Sequence, residues 1–276
     1  MVTIEYLWLG IIFIFGAIIG SFLNVVIYRL HTGKSINGRS HCLSCGETLH
    51  WYELFPIVSY LALGAKCRTC ASWIPSRYMI VELMVACVYV LLWSMFDTTP
   101  FLFALYAVLT AVLAVITVYD MRHTIIPDEF VMGVLACAFL YLGYMHMATP
   151  SVATVLWSVA GGLFGFIFFA AFWYVSHGRW MGLGDAKLAF PLGMMVGFPA
   201  VYTMIVIAFV VGAVVSVCLL LVQRFLVRGK TALLYFGSAL TIKSEIPFAP
   251  FLIIGFLFTH FFHADIFEIT RTFLPF

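Results

Sequence analysis

Two aspartates and four cysteines carry most of the chemistry this sequence offers. Asp120 closes the apolar run 111–119, and Asp185 follows Gly182-Leu183-Gly184 at the head of another apolar stretch. Each has a basic residue two positions on, Arg122 and Lys187. Two carboxyl groups a few ångströms apart do not both ionise easily, so one keeps its proton while the other is charged. Together they can deprotonate a water, direct it at a peptide carbonyl and protonate the leaving amine, which is aspartic-protease chemistry and needs no metal. Acid pairs at membrane depth also serve proton or cation transport, and an interfacial Asp can simply cap a helix N-terminus. From these residues alone all three readings stand. Asp128, after Ile125-Ile126-Pro127 and before an apolar run, reads as a helix cap.

The cysteines are grouped as Cys42-Leu43-Ser44-Cys45 and Cys67-Arg68-Thr69-Cys70, with 21 residues between the pairs. That spacing turns four thiolates toward one tetrahedral centre, the pattern of a structural zinc site. Gly46 suits a tight turn after the first pair, and Lys66 and Arg68 would offset the charge of a four-thiolate site. Two disulfides are the competing reading, disfavoured in a reducing compartment. His41 and His50 are near enough to substitute as ligands, but four cysteines already complete the tetrahedron. Cys87, Cys137 and Cys218 sit singly in apolar stretches and read as packing residues.

The elements that must position these groups follow from composition. Of 276 residues, 64% are hydrophobic and 9% charged, with a mean hydropathy of +1.11. Soluble domains carry roughly 25% charged residues, so an ordinary cytosolic enzyme is excluded, and so is a disordered chain. Apolar stretches over 5–28, 78–96, 100–119, 129–147, 152–176, 186–198, 200–222 and 247–264 predict an all-α polytopic membrane protein of about eight transmembrane helices. If the N-terminus is outside, every Lys and Arg except Arg271 falls inside, which predicts both termini on the outer face. The start carries Glu5 and no positive charge, unlike a cleaved signal peptide. The polar stretch 30–77 is long enough for a small cytoplasmic domain, and 223–244 reads as a basic linker. Glu82 lies in the first turns of the second span, where an acid needs a partner such as Arg77 or the cysteine loop. Gly16 with Gly20, and Gly161 with Gly165, have the small-residue spacing that lets helices approach, within one chain or between two.

Several strings then coincide: residues 20–30 (GSFLNVVIYRL), the paired cysteines, Arg77-Tyr78 with Glu82, Tyr119-Asp120 with Ile126-Pro127-Asp128, Gly182-Leu183-Gly184-Asp185-Ala186-Lys187-Leu188, and Ile246-Pro247-Phe248-Ala249-Pro250-Phe251. In order and approximate spacing they resemble the bacterial type IV prepilin peptidases, over nearly the whole chain. The resemblance implies a bifunctional inner-membrane enzyme. It would cleave the leader of type IV prepilins or secretion-system pseudopilins, then methylate the new N-terminal residue with S-adenosylmethionine as donor, with no role for nucleic acid. It places the catalytic pair on Asp120 and Asp185, with Asp128 as a rival for the first. It also implies three parts: a first helix over 1–29, a zinc loop over 30–77 belonging to the methyltransferase, and a peptidase core over 78–276. Asn24, Arg29, Glu82, Gly184 and Lys187 are the candidates for substrate or methyl-transfer contacts. Met79, where relatives often carry proline, and the tail after residue 264 depart from the pattern.

Overall fold

A computed structural model describes residues 2–30, 32, 37–225 and 247–262. The loop 223–244 beyond Phe225, and the tail after residue 264, lie outside the described residues. Those described form helices joined by turns, with isolated bridges only at His41–Thr48 and Lys66–Trp73. The helices are α1 (Val2–Arg29), α2 (Val58–Ala62), α3 (Arg77–Phe96), α4 (Pro100–His123), α5 (Asp128–Ala148), α6 (Val152–Ser176), α7 (Leu183–Val196), α8 (Ala200–Phe225) and α9 (Ala249–Phe262). A single 3-10 turn, Trp51–Leu54, precedes α2.

Among the described residues six helices are long and apolar enough to cross a membrane: α1, α3, α4, α5, α6 and α8. The count of eight is therefore not confirmed. The expected sixth and eighth spans are α7 and α9, of 14 residues each. Fourteen residues rise only about 21 Å against a hydrocarbon core of about 30 Å. They read as apolar for another reason, since they are packed in protein. In α7 Ala186, Leu188, Ala189 and Leu192 are fully buried, and in α9 so are Ala249, Leu252 and Phe256.

The chain divides into two compact units, Met1–Val118 and Tyr119–Phe276. In the first, α1 and α3 cross at glycine. A Cβ on Gly16 would lie 2.7 Å from Cα of Ala86, and one on Gly20 would lie 2.7 Å from Cα of Glu82. Tyr89 Oη donates to the Ala107 carbonyl at 2.9 Å, tying α3 to α4. In the second unit α6 meets α7 through the same device: Gly161, Gly162 and Gly165 face Gly193, Phe190 and Ala189, with a Cβ on Gly161 falling 2.6 Å from the Gly193 carbonyl oxygen. Gly255 admits the backbone of Met204, joining α9 to α8. Both glycine pairs noted in the sequence thus serve contacts within the chain.

Candidate active site and cysteine cluster

The helix boundaries bring the two aspartates to helix ends. α4 continues past the expected 119 to His123, so Asp120 lies in its last turn, and α7 starts at Leu183, so Asp185 lies in its first. Both are buried, 4% and 8% exposed. Asp120 Oδ2 accepts the backbone N–H of Ala249, the first residue of α9, at 3.1 Å. That amide belongs to the first turn of a helix, where N–H groups have no intrahelical partner. Asp185 accepts the backbone N–H of Gly182, and the Asp120 carboxylate is close enough to repel it. Gly184 permits the approach of the α4–α5 connection: a Cβ there would sit 3.1 Å from Ile126 Cβ. The ends of α4 and the beginnings of α7 and α9 thus converge around two carboxylates.

Asp128 behaves differently. It is the first residue of α5, but the N-cap is Pro127 and no side chain caps the helix, so the expected capping role is not what its carboxylate does. Lys187 Nζ instead donates to Oδ1 and Oδ2 of Asp128 at 2.8 and 2.9 Å. The pair is open to solvent, with side chains 40% and 67% exposed.

In the first unit Asn24, Arg29 and Glu82 are buried at 8%, 7% and 8% exposure. Asn24 Nδ2 donates to the Tyr78 carbonyl at 3.0 Å, and Arg29 Nη2 donates to that of Arg39 at 3.1 Å. Glu82 Oε2 accepts the backbone N–H of Ile57 at 2.8 Å, and its carboxylate also bonds the Ser21 side chain. Of its two expected partners, the carboxylate therefore takes the cysteine loop, while Arg77 lies over the Tyr78 ring. These three residues line one cavity of about 220 Å³ between α1, α3 and the loop, together with Tyr28, Cys42, Cys67 and Trp73.

The cysteine ligand atoms of Cys42, Cys45, Cys67 and Cys70 all lie within 4.8 Å of one another. Cys42 Sγ and Cys70 Sγ are 3.9 Å apart. A tetrahedral zinc with Zn–S of about 2.3 Å spaces its sulfurs by about 3.8 Å, so the donor set fits that ion, whereas a disulfide needs about 2.05 Å. Each pair sits in the same turn: Gly46 N–H donates to the Cys42 carbonyl and Ala71 N–H to that of Cys67, both at 3.0 Å, with Gly46 and Ala71 at positive φ of 75° and 54°. The backbone N–H of Cys45, helped by Ser44 and Ser72, outweighs partial burial and brings the Cys42 thiol down to about 6. His41 and His50 stay out of the cluster; His41 pairs with Thr48 across a bridge and His50 stacks on Tyr52. Lys66 lies over the Trp73 ring, and Arg68 bonds the Tyr52 hydroxyl.

The contributors that the sequence did not single out are the amide of Ala249, the amide of Ile57 and the side chain of Ile126. The first two are backbone donors, which any residue type supplies, so only the surrounding strings pointed near them.

A buried carboxylate pair at converging helix ends, in a chain with six membrane-length helices that also folds a four-thiol module, defines a polytopic membrane protein with a candidate two-carboxylate site. The comparisons give the family. The Bacterial Peptidase A24 N-terminal domain matches residues 14–96, and the Type IV leader peptidase family matches 107–217. A relative named Type 4 prepilin-like proteins leader peptide-processing enzyme, from Escherichia coli O78:H11, is 30% identical over 272 residues, covering 90% of this chain and 92% of the relative. The Prepilin leader peptidase/N-methyltransferase of Myxococcus xanthus is 34% identical over 218 residues, which is 76% of this chain and 62% of that protein. That of Bacillus subtilis is 28% identical over 259 residues, 94% of this chain and 96% of the relative. The chain belongs to the type IV leader peptidase family, as a multi-pass protein of the bacterial inner membrane. No solved structure matches it. The comparisons give the transporter reading no support.

Proposed function

We propose that the chain cleaves the leader peptide of type IV prepilins or pseudopilins at the cytoplasmic interface and then methylates the new N-terminus. The convergence of buried Asp120 and Asp185 at three helix ends carries this reading. One carboxylate takes a proton from a water whose oxygen attacks the scissile carbonyl, and the protonated partner gives its proton to the leaving amine. The Ala249 and Gly182 amides hold the two side chains in place. The apolar segment of the substrate enters laterally between helices, while Gly184 lets Ile126 close in beside Asp185 and Lys187 lies near the leader. The distribution of Lys and Arg supports a cytoplasmic site and periplasmic termini.

Methyl transfer is assigned to the first unit, with S-adenosylmethionine supplying the methyl group. Asn24, Arg29 and Glu82 line a cavity suited to a polar donor, with a buried guanidinium, a buried carboxyl group and aromatic walls. Zinc held by Cys42, Cys45, Cys67 and Cys70 would fix the loop that closes it, since Cys42 and Cys67 line that cavity.

Mass spectrometry of a co-expressed prepilin tests the whole reading. The expected product has lost its leader and gained one methyl group. A prepilin that keeps its leader beside the intact enzyme would refute the peptidase assignment.

A further inference from the structure

The loop between α1 and α3 packs backbone against the first turns of α3. Glu82 lies five residues into α3 from Arg77, about 7–8 Å along the axis at 1.5 Å per residue. Opposite it is Gly20, nine residues before the end of α1. Ile57 is bonded to the Glu82 carboxylate, and a glutamate side chain leans toward its helix's N-terminus, so the chain around residue 57 lies against the first turns of α3, at the end of a membrane-spanning helix.

Non-helical backbone at membrane depth needs its polar groups satisfied by protein. Here the break between the 3-10 turn and α2 is a γ-turn: Val58 N–H donates to the Pro56 carbonyl at 2.6 Å, with Ile57 at φ 63°, ψ −51°. That conformation is strained for a β-branched residue. The carboxylate of Glu82 takes the amide of Ile57, at the centre of the turn.

The side chains around this turn divide by chemistry. Ser59, Tyr60 and Leu63 line the cavity. Trp51, Phe55, Val58 and Leu61 point out of the protein, at 72%, 51%, 66% and 65% exposure. The charged residue of the stretch, Glu53, folds its carboxylate back onto the His50 amide at 2.7 Å. In α3, the spanning helix to which the turn is bonded, the exposed residues Ile80, Leu83 and Met84 flank Glu82 and are also apolar.

We propose that residues 51–62 form an interfacial anchor whose apolar side inserts into the upper acyl chains of the leaflet bordering the cysteine loop. The bilayer is the occupant because the segment is bonded to the first turns of a spanning helix, carries no outward charge and has Trp51 and Tyr52 at its entry, as interfacial segments do. Insertion holds the cysteine loop against the membrane.

The test replaces Trp51, and separately Val58, with photoreactive p-benzoylphenylalanine in native membranes. Ile14, exposed in the middle of α1, is the lipid-facing control, and Thr48, exposed in the loop, is the polar one. Irradiation should give phospholipid mass adducts at 51 and 58 comparable to those at 14, and none at 48. Adducts to a co-expressed prepilin or to a second copy, or no lipid adduct at either position while Ile14 reacts, would overturn the proposal. Should the labelled chains fail to accumulate, W51F in nanodiscs of lipids brominated near the headgroup gives a second reading. The substitution should remove a lipid-quenched part of the tryptophan emission, and equal quenching in wild type and W51F would also overturn it.

Discussion

Asp120 and Asp128 stand eight residues apart and face opposite environments. The first is buried and shares its surroundings with Asp185, whereas the second is two-thirds exposed and bound to a lysine. A carboxylate held by an ammonium in solvent is a poor proton carrier for a buried peptide. D120N and D185N should each lower cleavage by at least ~10²–10⁴-fold, the usual loss when a general acid or base is removed, with the protein still folded. D128N should keep most of the activity; a gel assay of prepilin trimming in detergent distinguishes them, and full activity in D120N would move the catalytic role elsewhere. The Lys187–Asp128 pair itself is exposed, so K187M should cost about 0–1 kcal/mol of stability, seen as a small shift in thermal unfolding. The two buried aspartates were legible in the sequence because acids are scarce in an apolar chain. The Lys187 partnership was not, since it joins positions 59 residues apart, and the capping reading of Asp128 gave way to it.

At the scale of the element, the long spans were legible because twenty apolar residues in a row have few other fates. The short ones were not, because an apolar run of 14 residues looks alike whether lipid or protein surrounds it. α7 is the case that matters, as it carries Asp185 and is held against α6 by glycine. A methyl group at Gly193 would sit 2.6 Å from the Gly161 carbonyl oxygen, with backbone on both sides and no flexible side chain to yield. Overpacking of this kind costs about 1–3 kcal/mol. In an open helical position the same change gains roughly 0.5–1 kcal/mol by favouring the helix, and Gly143 of α5 is such a position, with nothing within 4 Å. G193A should therefore lower the unfolding temperature in detergent and reduce cleavage by displacing Asp185, while G143A should leave both the same or slightly improved. Equal effects of the two would mean that the α6–α7 contact is not held by close backbone approach.

For the whole molecule, the partition of chemistry between the two units sets the strongest expectation. Cys42, Cys45, Cys67 and Cys70, with Asn24, Arg29 and Glu82, lie in Met1–Val118, whereas Asp120, Asp185 and the amides bonded to them lie in Tyr119–Phe276. Two of the cysteines are walls of the cavity assigned to methyl transfer. Without metal, the four sulfurs gathered within 4.8 Å lose the ion that would hold the two cysteine turns together. Removing zinc should thus open that cavity and leave the aspartates, which belong to the other unit, as they were. C42S/C45S should lose bound zinc and yield a prepilin trimmed but unmethylated, and a chelator strong enough to strip the wild type should do the same. Mass spectrometry of the product reads both steps at once, alongside metal analysis of the enzyme. A variant that had lost its zinc yet still methylated, or that methylated residual product while failing to cleave, would reverse the assignment of the two activities to the two units.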